Sequence, residues 1–310
     1  MPTLLQALLV SILCVVHGTD AAAAPDAPAA RAPTVAARPQ ASFTILPTGQ
    51  VTVREAMLFA GGRFGEKAHS VFAAFLIRHG DQTLMLDTGL GGRIAEQFAQ
   101  DMPWWARGAF GYEQPVRPAA AQLRAAGVPL PQRIVLSHAH WDHASALEEF
   151  PGAEVYAAAE ELAQIRQARA GVATAWPSQV SDKPLSWHAL VFDGPAHEGF
   201  ETSRDWFGDG SVVFVPMRGH TPGSVGLFLT TGSGRRFFFV GDVLWHSGAL
   251  AEGRPKIWAA RLLVDADVDG TQRAIERIRA AAARDPALVI VPAHDGAVFD
   301  RLGRFPAWID

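Results

Sequence analysis

The chain has 310 residues, of which 49% are hydrophobic and 19% charged, and a formal net charge of −4. This is globular rather than disordered composition, on a chain long enough for one large α/β domain or two small ones. The weakly acidic balance excludes a general attraction to nucleic acid or to anionic membranes, leaving a small molecule as the expected partner.

The N-terminus carries the marks of export. Leu4 to Val16 form an apolar run broken only by Gln6 and Ser11, of signal-core length and too short to span a bilayer comfortably. No Lys or Arg precedes the run, and the small residues Ala21 to Ala24 follow it. We therefore expect residues 1–24 to be a signal peptide and the mature protein to be periplasmic or secreted, free of the membrane. Ser-Ile-Leu before Cys14 lacks the small residues that a lipid-attachment site needs. Cleavage would remove Cys14, the only cysteine, leaving no thiol for a disulfide, a nucleophile or a metal ligand. Residues 25–41 are an Ala/Pro-rich leader that can bury little, and the folded domain is expected over 42–310.

Val71 to Arg78 and Gln82 to Asp87 read as strands joined by His79, Gly80 and Asp81. Pro115 to Ala126 predicts a helix ended by Gly127. Ile134 to Leu136 is a short buried strand, and Ala158 to Ala170 a helix closed by Gly171. Val212 to Pro216, Val225 to Leu229 and Phe237 to Val240 are further strands. Thr271 to Arg284 is an amphipathic helix with Ala274, Ile275, Ile278 and Ala282 on one face, and Leu288 to Val291 is a last buried strand. Strands grouped in each half with helices between them favour a layered α/β sandwich over a doubly wound sheet.

After Ile134-Val135-Leu136 comes Ser137-His138-Ala139-His140-Trp141-Asp142-His143. Alternation puts His138 and His140 on one side, as two nitrogen ligands to one ion require. The following turn lets Asp142 and His143 face a second ion. Three more apolar strands lead into ligand-type residues: Gly219-His220-Thr221-Pro222-Gly223, Gly241-Asp242 and Ala293-His294-Asp295. Any one of them is ordinary loop chemistry; the fourfold pattern of strand followed by His or Asp is not.

This order of motifs resembles the metallo-β-lactamase superfamily over roughly Phe43 to Asp310. The resemblance implies an αβ/βα four-layer sandwich in which His138, His140 and His220 hold one metal. Asp142, His143 and His294 would hold a second, with Asp242 bridging. Leu86-Asp87-Thr88-Gly89 is similar to the superfamily's early aspartate turn, a structural feature acting at most from behind a ligand.

Five imidazoles and two carboxylates suit two zinc ions, and the oxygen share also accommodates iron or manganese. A bridging hydroxide is the expected nucleophile, attacking a carbonyl or phosphorus centre, with Asp142 orienting it or passing a proton to the leaving group. Superfamily β-lactamases commonly lack an aspartate at the Asp242 position, so the pattern is most similar to the lactonases that open N-acyl homoserine lactones. Those lactonases typically carry a tyrosine where this chain has Trp245, with His246 adjacent, and a Gly-Gly pair where it has Ser145-Ala146. Alternatives are a phosphotriester or arylester hydrolase, a β-lactamase, or an exported zinc-binding protein without activity. Trp104 and Trp105, together with Trp245 and His246, are candidates for the substrate pocket, whereas Trp141 is expected to pack behind the ligands. A dimer is compatible with the sequence, which does not specify one. Export is checked by N-terminal sequencing of the mature protein: a start near Pro25 in the periplasmic or secreted fraction is expected, and an intact Met1 in the cytosol would refute it.

Overall fold

A computed structural model describes residues 41–181, 183–251 and 253–310. The expected signal segment, and the leader apart from Ala41, lie outside the described residues. Two sheets face one another. The first runs β1 (Ala41–Arg54), β2 (Lys67–His79), β3 (Gln82–Leu86), β4 (Arg133–Val135), β5 (Glu154–Ala158) and β6 (Ser186–Leu190), in that spatial order. The first three strands are antiparallel, and β3 to β6 are parallel. The second sheet contains β7 (Arg204–Asp205), β8 (Val212–Pro216), β9 (Val225–Thr230), β10 (Arg236–Phe239) and β11 (Val289–Val291). Its order is β11-β10-β9-β8-β7. Because β8 and β10 are both antiparallel to β9, and β11 is parallel to β10, these three strands point the same way.

Apolar side chains from the inner faces meet between the sheets. Phe43 lies edge-on to Phe237 and Phe239, with centroids 4.8 and 5.1 Å apart, and Phe75 is 5.0 Å from Phe239. Outside the first sheet, Leu76, Met85, Ile134 and Val155 pack with Ala119, Ala120 and Leu123 of a short helix (Ala119–Ala125). Outside the second, Val213, Val215, Phe228 and Phe238 pack with Ala274, Ile275, Ile278 and Ala281 of a long one (Val268–Arg284). Helix, sheet, sheet, helix gives the four layers of an αβ/βα sandwich, as the resemblance implied.

Differences from the sequence reading have local causes. The sequence reading assigned no element to the 14-residue β1; the strand accommodates Pro47 and Gly49 in a register shift between those two residues. The helix expected from Pro115 starts only at Ala119, just after Pro118, since a proline keeps the residue before it out of helical geometry. The helix expected over Ala158 to Ala170 covers only Ala159–Ile165. Beyond it the backbone pairs elsewhere, Arg169 N with Ala175 O and Gly171 N with Asp101 O, so tertiary contacts override alanine's helix preference. Among the described residues no helix is long and apolar enough to cross a membrane. Phe43 is fully buried where the sheets meet, so Phe43→Ala is expected to lower unfolding free energy by about 3–5 kcal/mol in denaturant titration.

Candidate metal centre

Strand direction brings the chemistry to one edge. Asp87 follows β3, His138 and His140 follow β4, His220 follows β8, Asp242 follows β10 and His294 follows β11. A single helical turn (Trp141–Ala144) then supplies Asp142 and His143. Two glycines permit the close approach that this requires. Gly219 has φ +146°, and a Cβ there would lie 2.3 Å from Thr271 N at the start of the long helix; one on Gly223 would lie 2.3 Å from Glu161 N.

All seven ligand-type residues predicted from sequence are buried and converge. His138, His140 and His220 form one group, and Asp142, His143 and His294 another, the donor atoms within each lying no more than 4.8 Å apart. His220 Nε2 is 3.2 Å from His138 Nε2 and 2.9 Å from His140 Nδ1. Asp242 stands between the groups. Its Oδ1 is 3.0 Å from His294 Nε2 and 3.2 Å from His143 Nε2, while its Oδ2 is 3.6 Å from His220 Nε2.

Three of the rings are aimed by a partner on the far side. His143 Nδ1 donates to Asp87 Oδ2 at 2.8 Å, His220 Nδ1 to Asp265 Oδ1 at 2.8 Å, and His294 Nδ1 to the Val71 carbonyl at 3.1 Å. Such hydrogen bonds settle the tautomer and leave the inward nitrogen as a lone-pair donor. Asp87 also accepts from Ser137 N and Ser137 Oγ, both at 2.7 Å, and holds φ at 57°, a left-handed conformation that aspartate tolerates better than most residues. Sequence reasoning missed Asp265, Lys256 and Glu161. Glu161 accepts from Ala139 N at 2.7 Å and from Thr221 Oγ1 at 2.6 Å, tying the two histidine loops together. Asp265 and Glu161 sit in stretches that look like turn and helix chemistry, so nothing in their spacing marks them.

These residues fit a pair of cations. Three ring nitrogens facing one another cannot be satisfied by one shared proton. His143 Nε2 and Asp242 Oδ1 are buried without a hydrogen bond, which is costly unless something else binds them. Burial, reinforced by neighbouring imidazoles, pushes His138 and His140 well below the ordinary histidine range, so both are neutral and ready to ligate. Burial pulls His143 and His294 the same way, but Asp142 and Asp87 beside His143, and Asp242 beside both, outweigh it and raise them. Asp242 is held well below the usual carboxylate range: burial opposes this, and His294 and His143 overcome it. Burial raises Asp142 despite the same two rings.

The centre lies at the base of a cavity of about 190 Å³. Val53, Met57, Leu58, Phe72, Phe110 and Leu263 are among its walls, and no Lys or Arg is among its lining residues. Of the four expected pocket residues only Trp245 lines it. The Trp245 indole N–H is engaged, donating to Asp242 Oδ2 at 2.9 Å. His246 instead stacks on Phe59 at 5.4 Å, and its Nδ1 accepts from Gly248 N. Trp104 and Trp105 are exposed and are not among the lining residues, a position that apolar composition could not reveal. Trp141 packs on Phe72 and Trp176 while also facing the cavity.

Residues 73–294 match the Metallo-beta-lactamase superfamily. The chain belongs to that superfamily. It is a metal-dependent hydrolase. Within the superfamily it is 29% identical to a probable metallo-hydrolase of Mycobacterium tuberculosis, across 71% of this chain and 73% of that protein. Its fold is similar to an N-acyl homoserine lactone hydrolase solved with N-hexanoyl-L-homoserine at its catalytic metal centre. That similarity has a TM-score of 0.67 at 15% identity and covers 88% of this chain and 100% of the other. The dizinc quorum-quenching lactonase AidC is similar with a TM-score of 0.53 at 16% identity, covering 83% and 88%.

The raised pKa values of His143 and His294 have a measurable consequence. Raised above the ordinary histidine value, the metal-free rings keep their protons further up the pH scale than a free imidazole does, and ligation must displace those protons. This charge stabilises the metal-free fold below about pH 6.5, the ordinary histidine value, and the contribution fades as pH rises through the raised values. Metal uptake near pH 6.5, the ordinary histidine value, is therefore expected to release protons, and affinity is expected to fall as pH drops. Titration in weak buffer checks it; uptake without proton release would contradict it.

Proposed function

We propose that this chain is an exported dizinc hydrolase that opens a lactone or cleaves an ester bearing an apolar acyl portion. The observation that carries this reading is a seven-donor centre, five of whose residues line an apolar cavity with no Lys or Arg among its described lining residues. Bound divalent ions bring the pKa of coordinated water toward about 7 and polarise a substrate oxygen. The residues do the rest. His138, His140 and His220 would hold one ion, and Asp142, His143 and His294 the other. Asp242 would join them, because its two oxygens already face the two groups. Asp142 lines the cavity, so its carboxylate is placed to orient the attacking water and to pass a proton to the departing alkoxide.

The walls select the substrate by desolvation. A neutral acyl or aryl group loses little on entering an apolar cavity, whereas an uncompensated carboxylate loses its hydration. That disfavours a β-lactam, whose carboxylate would find no Lys or Arg among the described lining residues. It leaves neutral aryl phosphotriesters as a second reading, supported by the aromatic faces of Phe72, Phe110 and Trp141 along the cavity. The superfamily lactonases carry a tyrosine at the position of Trp245. With its N–H committed to Asp242, Trp245 leaves polarisation of the carbonyl to the metals alone.

A panel of zinc-loaded assays tests the assignment. Acyl homoserine lactones and aryl esters are expected to be turned over, a cephalosporin is not, and activity should vanish on chelation and return with zinc. Asp242→Ala is expected to lose both bound metal and turnover. Unchanged metal content in that variant would sink the centre; strong cephalosporin turnover without lactone or ester turnover would sink the substrate class.

A further inference from the structure

One buried cation stands behind the trihistidine group, and the reaction as described does not use it. Lys256 is 1% exposed. Its Nζ donates to Asp265 Oδ1 at 2.8 Å and lies 3.5 Å from His220 Nδ1. His220 Nδ1 donates to that same oxygen, also at 2.8 Å, while the buried Asp265 Oδ2 has no hydrogen bond. Lysine and histidine therefore share one oxygen of the carboxylate. On its other side Lys256 Nζ stands 5.3 Å from the Trp245 ring centroid, within cation–π range, and that indole donates to Asp242 Oδ2.

Among the described residues the other group has no such cation. Behind His143, Asp87 accepts only from His143 and from the neutral N–H and O–H of Ser137, and His294 leans on a backbone carbonyl. A buried ammonium is expensive, and replacing an ion pair with apolar side chains is often neutral or stabilising. Packing alone therefore gives no reason for Lys256.

We propose that Lys256 is a positioning residue that sets how strongly the trihistidine subsite donates to its metal, acting through Asp265 and Trp245. This rests on the two-metal reading above. A carboxylate behind a ligating histidine strengthens the ring as a donor; a cation on the same oxygen takes part of that effect back. Polarised by the same cation, the indole N–H draws charge from Asp242 Oδ2, the oxygen that faces the trihistidine group. Both arms weaken donation to one ion and leave the other untouched. The ion in the trihistidine subsite is then held less tightly and polarises a substrate oxygen more.

Cobalt(II) titration of the full chain against a competing chelator tests this, with each subsite's absorption band assigned by its loss in His140→Ala and in His294→Ala. At the trihistidine subsite, Lys256→Met is expected to bind about 10-fold tighter and Asp265→Asn about 10- to 100-fold weaker. The double variant should fall between Asp265→Asn and wild type, and affinity at the other subsite should not change in any of the three. A merely structural pair would weaken both subsites in every variant, and that result overturns the proposal, as does looser binding in Lys256→Met. Should Lys256→Met fail to fold, the comparison of the double variant with Asp265→Asn decides: tighter binding in the double supports the proposal, and equal or weaker binding overturns it. If His140→Ala and His294→Ala remove no separate bands, the two-metal reading itself falls and this inference with it. Two separate bands that Lys256→Met leaves unmoved overturn the inference alone.

Discussion

The structure is organised around ring nitrogens that face one another in a buried place with nothing between them to share. His220 Nε2 lies within hydrogen-bond distance of nitrogens on both His138 and His140, and two of the three must present lone pairs. Nearby, Asp242 Oδ1 and His143 Nε2 are buried without a hydrogen bond. Polar atoms in that condition cost free energy, and a cation removes the cost by taking up every lone pair at once. Much of the binding energy of a metal held there would then be folding energy at this edge of the sandwich.

The surroundings answer that demand. Asp87, Asp265 and the Val71 carbonyl each hold the outer nitrogen of a ring, so three of the five histidines arrive with their inward nitrogen aimed. Glu161 binds the backbone between His138 and His140 and the threonine after His220, which couples loops from different sheets. The glycines at 219 and 223 are consequences of that coupling, because side chains there would collide with backbone of neighbouring elements. Above the centre the character changes abruptly to apolar walls. Apolar walls and buried ligand-type residues thus share one cavity.

The asymmetry between the two halves of the centre arises outside the ligands. On the donor list alone the halves differ only in one carboxylate. Behind the list, one half leans on aspartate and neutral donors, while the other leans on an aspartate already shared with a lysine. Partners of this kind tune a metal without touching it.

How much was legible in the sequence depends on the range of the interaction. Motifs of consecutive residues were readable: HAHWDH after an apolar strand, the GHTPG turn, and the long helix with its apolar stripe all express local periodicity and turn chemistry. The seven donors and the layered fold followed from these. The long first strand was not read, and it carries Pro47 and Gly49 across a register shift. Composition alone set the globular class of the chain. Only the tertiary structure decided that Trp104 and Trp105 are exposed and apart from the cavity lining, and that Lys256, Asp265 and Glu161 stand behind those donors. The physical reason is that burial and contact across hundreds of residues determine the worth of a charge, and a charged side chain reads the same in sequence whether water or a metal ligand lies beside it.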